Sequence, residues 1–261
     1  MDSLLLIRPA VMTKYERNYA SRHFRIEESR VLCVNSLVVG RYSVRPFYEE
    51  LDRDLRLIGS RLINTCDEHN WIATFAYYRE LREFTPEIWD ESNIAYCGHP
   101  GPFVVKGKLS SKKWKWNSHM FAETKSQALQ LAERLKEDGE IYEQGVVFRR
   151  YVPLKAFEFG PTGLPFTNEW RFYYHKTTLL TVGYYWGVGD GFRKAILPDE
   201  CWQLAQHIAG IAAKFTTFFT LDLAETAEGG WILIELNDGQ MAVPAEHDLD
   251  ELYGRLKMVI E

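Results

Sequence analysis

Two apolar runs near the C-terminal end, Leu221-Asp222-Leu223-Ala224 and Trp231-Ile232-Leu233-Ile234-Glu235-Leu236-Asn237-Asp238-Gly239, are separated by six mostly small or acidic residues that include Gly229 and Gly230. The pattern predicts a β-hairpin, since the glycines supply the backbone angles that a tight turn needs and β-branched residues resist. Side chains alternate along a strand, which puts Glu235 and Asn237 on one face and Ile234 and Leu236 on the other. Asp222, on the adjoining strand, is close enough to join the first pair. Oxygen donors from an Asp, a Glu and an Asn suit a hard cation such as Mg²⁺, which keeps water and substrate phosphates as its other ligands. A solvated polar face would use the same three residues, and the spacing alone does not choose between the two.

The rest of the composition narrows the class. At 261 residues the chain has the length of one large or two small domains, enough to bury a sizeable core. A hydrophobic share of 46% with eight tryptophans is that of a folded globular protein rather than a disordered one. A net charge of −5 excludes a generic nucleic-acid binder. Cys33, Cys66, Cys97 and Cys201 are widely spaced, with no CxxC pair, which points to reduced thiols and a cytoplasmic location, with neither a zinc site nor a disulfide scaffold. The leading Leu4-Leu5-Leu6-Ile7 run is too short for a signal peptide or membrane span. It reads as a buried first strand stopped by Pro9.

Three regions are expected. Residues 1–95 mix strands (Val31–Asn35, Leu37–Gly40) with a helix carrying Phe47, Leu51, Leu55 and Ile58 and a second helix over 67–83. Residues 96–155 start at a Gly/Pro-rich turn and continue with a strand, a basic stretch, a helix and another strand. That helix has Thr124 and Gln127 as a capping box, an apolar face of Ala128, Leu131, Ala132 and Leu135, and Gly139 as its stop. Residues 156–261 hold strands Glu169–His175 and Leu179–Trp186, a helix near 199–215, the hairpin and a closing helix. With much antiparallel pairing and no consecutive βαβ series, the fold class is α+β.

Other candidate chemistry lies upstream of the hairpin. Phe103-Val104-Val105-Lys106 is an apolar strand ending in a lysine, and Lys106 to Lys115 contains five lysines and no acid, interleaved with Trp114. Such a run is either a solvated loop or a lid whose ammonium groups neutralise phosphate. Neither a Walker motif nor GxGxxG occurs, and Gly187-Val188-Gly189-Asp190-Gly191 reads as a plain loop. Val147-Phe148-Arg149-Arg150-Tyr151-Val152-Pro153 is a strand running into two arginines, and Glu169, Arg171 and Tyr173 share a strand face. Arginine there suits phosphate or carboxylate, and an ordinary ion pair equally well. Arg8, Arg41 and Arg45 are candidates for an acidic substrate or simply surface arginines.

Taken in order, these segments resemble the ATP-grasp superfamily, and within it a compact bacterial and phage clade named for two arginines and a lysine. The residues that carry the resemblance are Phe103–Lys106, Val147–Val152, Glu169-Trp170-Arg171 and Ile234–Gln240, and it spans roughly residues 95–245. It implies an ATP-grasp fold in which two α+β subdomains, 96–155 and 156–261, sandwich ATP behind a small N-terminal α/β domain, 1–95. Carried over, Lys106 contacts the α and β phosphates, with Lys108 or Lys113 as a second lysine. Arg150, Tyr151 and Val152 form the hinge against adenine, where most members of the family have a glutamate or glutamine nearby instead, and Arg149 is a further nucleotide-binding candidate. Glu169 lines the nucleotide site, Arg171 holds the γ-phosphate or an acyl phosphate, and Asp222, Glu235 and Asn237 hold Mg²⁺. Lys106, Arg150 and Arg171 are the catalytic candidates.

The activity implied is an ATP-dependent, ADP-forming carboxylate–amine ligase acting on an amino acid, peptide or protein terminus, with 107–117 as a water-excluding lid. An RNA-end ligase or kinase using the same ATP site is one alternative, since the lysine run with its tryptophans could track a phosphate backbone. A nucleotide-binding module without activity is the other. The acceptor pocket is expected from the first 95 residues and the loops around 156–168 and 187–195, and no membrane partner is expected.

Overall fold

The computed structural model describes residues 2–42, 44, 47–139, 141, 145–187 and 194–261. Arg45 and most of the glycine-rich 187–195 loop therefore lie outside the described residues.

The chain opens with Asp2–Leu6 (β1), a helix Lys14–Ala20 (α1) capped by the Thr13 side chain, and Arg25–Glu27 (β2). Ser36–Val39 (β3), Tyr48–Leu57 (α2) and Arg61–Leu62 (β4) follow. The sheet order is β2-β1-β3-β4 and every pairing is parallel. Two strand–helix–strand units thus occur where the sequence suggested no βαβ series; α1, KYERNYA, is too short and too polar to announce itself by periodicity. The expected strand 31–35 is instead a 3₁₀ turn at Arg30–Leu32 with Val31, Leu32 and Val34 exposed, and Asn35 at φ +50° ends any extended run.

The expected helix over 67–83 is divided in two. Cys66–Ala73 (α3) starts with a capping box between Thr65 and Glu68, and Tyr78–Leu81 (α4) follows a break at Phe75, whose φ is +62°. The break lets Ile72, Phe75, Tyr77 and Leu81 all reach the core of the C-terminal sheet. Ile88–Asp90 (β5) then joins the lid, so the region expected as N-terminal up to residue 95 contributes its last strand elsewhere.

The lid sheet runs β5-β8-β6-β7, built from Phe103–Gly107 (β6), Phe121–Ala122 (β7) and Val146–Arg150 (β8), with helix Lys125–Lys136 (α5) against it. Thr124 caps α5 by accepting from the Gln127 amide, while the Gln127 side chain accepts from Glu123 rather than Thr124. Ala128, Leu131, Ala132 and Leu135 pack on Phe103, Val105 and Phe148. The opposite face of the same strands carries Val104, Lys106, Val147 and Arg149, because β6 and β8 pair Val104 with Arg149 and Lys106 with Val147.

A small hairpin, Ala156–Phe159 (β9) and Pro165–Thr167 (β10), leads into the antiparallel sheet β12-β11-β13-β14. Its strands are Glu169–His175 (β11), Thr178–Tyr184 (β12), Phe218–Glu225 (β13) and Trp231–Asp238 (β14). Helix Asp199–Ala212 (α6) covers one face through Ala205, Ile208 and Ala209 against Phe172, Phe219 and Leu221. Leu249–Ile260 (α7) closes the chain and packs with α1, joining the N-terminal sheet to β11 and β12 in one core. Gly183 lets the 244–247 segment cross β12: a Cβ there would stand 2.4 Å from the Glu246 carbonyl oxygen.

Candidate active site

Period-two alternation decides what the uncovered face of the C-terminal sheet carries. Phe172 and Tyr174 of β11 and Leu221 and Leu223 of β13 face α6, so Glu169, Arg171, Thr220 and Asp222 face the lid. On β14 the hairpin register departs from simple alternation. Asp222 pairs with Glu235 but Leu223 pairs with Leu233, a bulge that takes up Ile234. Leu233 and Leu236 therefore fill the core, and Ile234, expected on the core side, lines the cleft with Glu235.

That cleft, with about 120 Å³ of free space, lies between the lid and the C-terminal sheet. Its apolar end is formed by Val104, Met120, Tyr151, Val152, Leu154 and Ile232, and its charged end includes Lys106, Lys113, Glu169 and Glu235. Lys106 is 7% exposed and donates to Glu235. Burial alone would raise the Glu235 carboxyl, but the ammonium groups of Lys106 and Lys113 outweigh it and hold Glu235 well below the ordinary carboxylate range. Burial pulls Lys106 below the usual ammonium value, with Glu235 opposing.

Asp222 is wholly buried and accepts from Arg171 Nε and Nη2, each at 2.7 Å. The third guanidinium nitrogen, Nη1, donates to the Val243 carbonyl at 2.6 Å, so every arm of Arg171 is engaged beside the cleft rather than reaching into it. Asn237 points Nδ2 at Asp222 Oδ2, 3.5 Å away. The three residues expected as metal ligands are thus neighbours on one face. Among the described residues no three His, Cys, Asp or Glu side chains cluster as a metal site; the set here is two carboxylates and an amide. Its donors are all hard oxygens, which fits Mg²⁺.

The two arginines of β8 separate. Arg149 is buried and donates to the Ile234 carbonyl at 2.5 Å and to Thr85 Oγ1 at 3.0 Å, tying lid to sheet, while its Nε has no partner. Arg150 borders the cleft but its side chain is 54% exposed, 3.6 Å from Glu87. In the hinge, the Arg150 and Tyr151 amides are bonded to the Glu87 and Pro102 carbonyls.

The lid lysines also part company. Lys113, not Lys108, enters the cleft: it donates to the Tyr185 hydroxyl and its Nζ lies 4.3 Å from that ring's centroid. Burial would lower it, but Tyr185, Glu169 and Glu235 together raise it above the usual ammonium value. Lys112 pairs with Asp138 at 2.5 Å. Lys108 lines a second, smaller pocket on the far side of Glu235. Glu169 is buried with Oε1 unpartnered, and burial, reinforced by Asp222, pushes its carboxyl up to about 7 against the pull of Lys113. Trp186 and Thr167 complete this corner through a 3.1 Å hydrogen bond. Nothing in the spacing of Tyr185, Trp186 and Leu164 marks them; β12 and the β9–β10 hairpin bring them in by tertiary placement.

Arg41, a candidate for an acidic substrate, is 1% exposed and fully engaged: it pairs with Glu16 at 2.6 Å and donates to the Gly239, Gln240 and Ala242 carbonyls. It anchors the segment after β14 to the N-terminal sheet. All four cysteines are free thiols, and among the described residues no helix is long and apolar enough to cross a membrane.

Comparison with known proteins gives the family and the fold. The sequence model of the ATP-grasp domain, family 3 of the clade named for two arginines and a lysine, matches residues 96–256. No curated protein matches the chain. Among solved structures, an ATP-grasp ligase PsnB complexed with a minimal precursor superposes with a TM-score of 0.58 at 13% identity, covering 100% of this chain and 99% of its own. The D-cycloserine synthetase DcsG superposes at 0.57 with 12% identity, covering 99% and 100%. D-alanine–D-alanine ligase from Bacillus anthracis, complexed with ATP, does so at 0.57 with 12% identity over 99% and 94%. At these identities the likeness is one of fold.

Proposed function

Because the chain belongs to family 3 of the ATP-grasp clade named for two arginines and a lysine, we propose that it is an ATP-dependent, ADP-forming ligase that activates a carboxylate as an acyl phosphate and joins it to an amine. The observation that carries this is the meeting of cations and carboxylates at one end of the cleft: Lys106 on Glu235, with Lys113 and Glu169 between the two subdomains and the Arg171–Asp222 pair beside it. Phosphoryl transfer asks a protein for positioning and charge neutralisation, and those groups supply both.

In this reading the adenine lies against Val104, Met120, Tyr151 and Ile232, with the Val152 amide, unbonded among the described residues, as the hinge donor to a purine edge. Lys106 and Lys113 bind the phosphates. Arg149 fixes the approach of lid to sheet through the Ile234 carbonyl and Thr85. Asp222, Glu235 and Asn237 would hold Mg²⁺, which when bound neutralises phosphate charge. Lys106, which neutralises Glu235 here, is placed to turn to phosphate oxygens, while Arg171 stays on Asp222 and holds that carboxylate in place. Arg150, exposed beside Glu87, is left a rim role. Lys113 resting on Tyr185 closes the lid over the charged end, which protects an acyl phosphate from water. The donor class is an amino acid or peptide, in keeping with the similarity to a D-alanine–D-alanine ligase and to the PsnB ligase complexed with its precursor.

The test is Mg-ATP turnover in the presence of pooled amino acids, dipeptides and RNA ends. ADP and phosphate appearing only with a carboxylate-bearing pool support the proposal. ADP that depends on RNA ends instead would move the activity to the RNA reading.

A further inference from the structure

Along β14 the cleft does not end at Glu235. The same carboxylate forms one wall of the second, much smaller pocket, whose other walls include His69, Ile72, Ala73 and Phe75 of the α3 region, Lys108, and Asn237 and Asp238 of β14. The nucleotide cleft and this pocket therefore meet at Glu235, one on the hinge side and the other on the N-terminal side.

His69 is 5% exposed and rigidly held. Its Nδ1 donates to Asp238 Oδ2 at 2.9 Å, and Tyr48 stacks on the imidazole with ring centroids 4.0 Å apart. Asp238 is itself fixed: its Oδ1 accepts from Asn64 Nδ2 at 3.0 Å and from the Gln240 amide at 2.9 Å. A carboxylate that takes the Nδ1 proton leaves Nε2 as the ring's acceptor, and no hydrogen bond engages Nε2 among the described residues. An imidazole so clamped beside a pocket, with one nitrogen committed and the other open, has the arrangement of a proton acceptor.

We propose that this pocket is the acceptor subsite, that it takes the primary amine of a small molecule such as an amino acid, and that His69 receives the proton of the attacking nitrogen. The proposal rests on the ligase reading above. The amine lone pair forms the C–N bond to the acyl carbon, the bond from that carbon to the phosphate oxygen breaks, and its electron pair leaves with phosphate. One N–H proton passes to His69 Nε2 and from there to the departing phosphate or to water. Asp238 is a positioning residue that fixes the tautomer. The pocket has free space for about one water-sized group, so only the amine nitrogen enters it, with Ile72, Ala73 and Phe75 as its apolar wall.

The experiment separates the two half-reactions. Wild-type protein with Mg-ATP and pooled amino acids and dipeptides is assayed for amide products and, with added hydroxylamine, for hydroxamates; hydroxylamine is unprotonated and strongly nucleophilic at neutral pH and needs no base. In His69→Asn the amide still donates to Asp238 while the Nε2 position is empty. It is expected to make hydroxamate at the wild-type rate and to lose about 100-fold in amide formation. Ala73→Leu, which narrows the pocket without touching the imidazole, is expected to raise the acceptor KM about 10-fold. Equal loss of hydroxamate and amide in His69→Asn, undiminished amide formation in it, or an unchanged acceptor KM in Ala73→Leu would each overturn the proposal. Absence of hydroxamate in the wild type would overturn the ligase reading itself.

Discussion

Arg171 and Asp222 face each other across β11 and β13 and share two hydrogen bonds of 2.7 Å, Nε to Oδ1 and Nη2 to Oδ2. This fork-to-fork pairing is the strongest geometry available to the two groups. It gives both oxygens of a wholly buried carboxylate a partner at the centre of the candidate metal set. Breaking a buried pair from one side leaves an uncompensated charge. Arg171→Met is therefore expected to cost about 3–5 kcal/mol of stability, read as a shift in the urea midpoint at constant slope. A change below about 1 kcal/mol, the worth of an exposed pair, would show that Asp222 does not depend on Arg171.

Lys106 and Glu235 form the second pair, and they divide differently between binding and turnover. Lys106→Ala removes a cation from the phosphate site and is expected to weaken ATP affinity about 10- to 100-fold by calorimetry, the worth of a charge-assisted hydrogen bond. Glu235→Gln keeps the shape of the side chain and removes the charge that Mg²⁺ needs. It is expected to abolish turnover while the folded protein survives. Unaltered ATP affinity in the first variant, or full turnover in the second, contradicts these assignments.

Glu169 gives a pH signature. Its carboxyl is raised from 4.5 to about 7 in the folded protein, by burial first. Between those values the folded chain holds a proton that the unfolded chain has released, so stability falls as pH rises through this window. The effect is on the order of 3 kcal/mol. Glu169→Gln, which resembles the protonated form, should flatten the stability profile between about pH 4.5 and 7 relative to wild type. Parallel profiles for the two proteins would place the Glu169 titration elsewhere.

The buried Arg41 makes a prediction opposite to that for a substrate-binding surface residue. It holds Glu16, Tyr253 and three carbonyls of the segment after β14. Arg41→Met is expected to destabilise the protein by about 3–5 kcal/mol, measured by urea unfolding. A variant with wild-type stability and a raised substrate KM would restore the substrate role.

How far the sequence discloses this molecule depends on the range of the contacts involved. The β13–β14 hairpin, α5 with its Thr124 cap, and the strand leading into Arg149 are readable because period and capping are local. The bulge at Ile234 is not, since it appears only when β14 is registered against β13. Phe75 has no signal for φ +62°; the core beneath it imposes that angle and breaks the expected helix. Choosing Lys113 over Lys108 requires Tyr185, seventy-two residues away. His69 reads as any helical residue until Asp238, 169 positions later, is seen to hold its ring.

The most direct measurement of the central claim follows oxygen from the donor. With amino acids and dipeptides carrying oxygen-18 in their carboxyl groups and unlabelled Mg-ATP, an acyl phosphate route delivers one labelled atom to the inorganic phosphate released with ADP. Label recovered in AMP, or phosphate free of label alongside product, would contradict it.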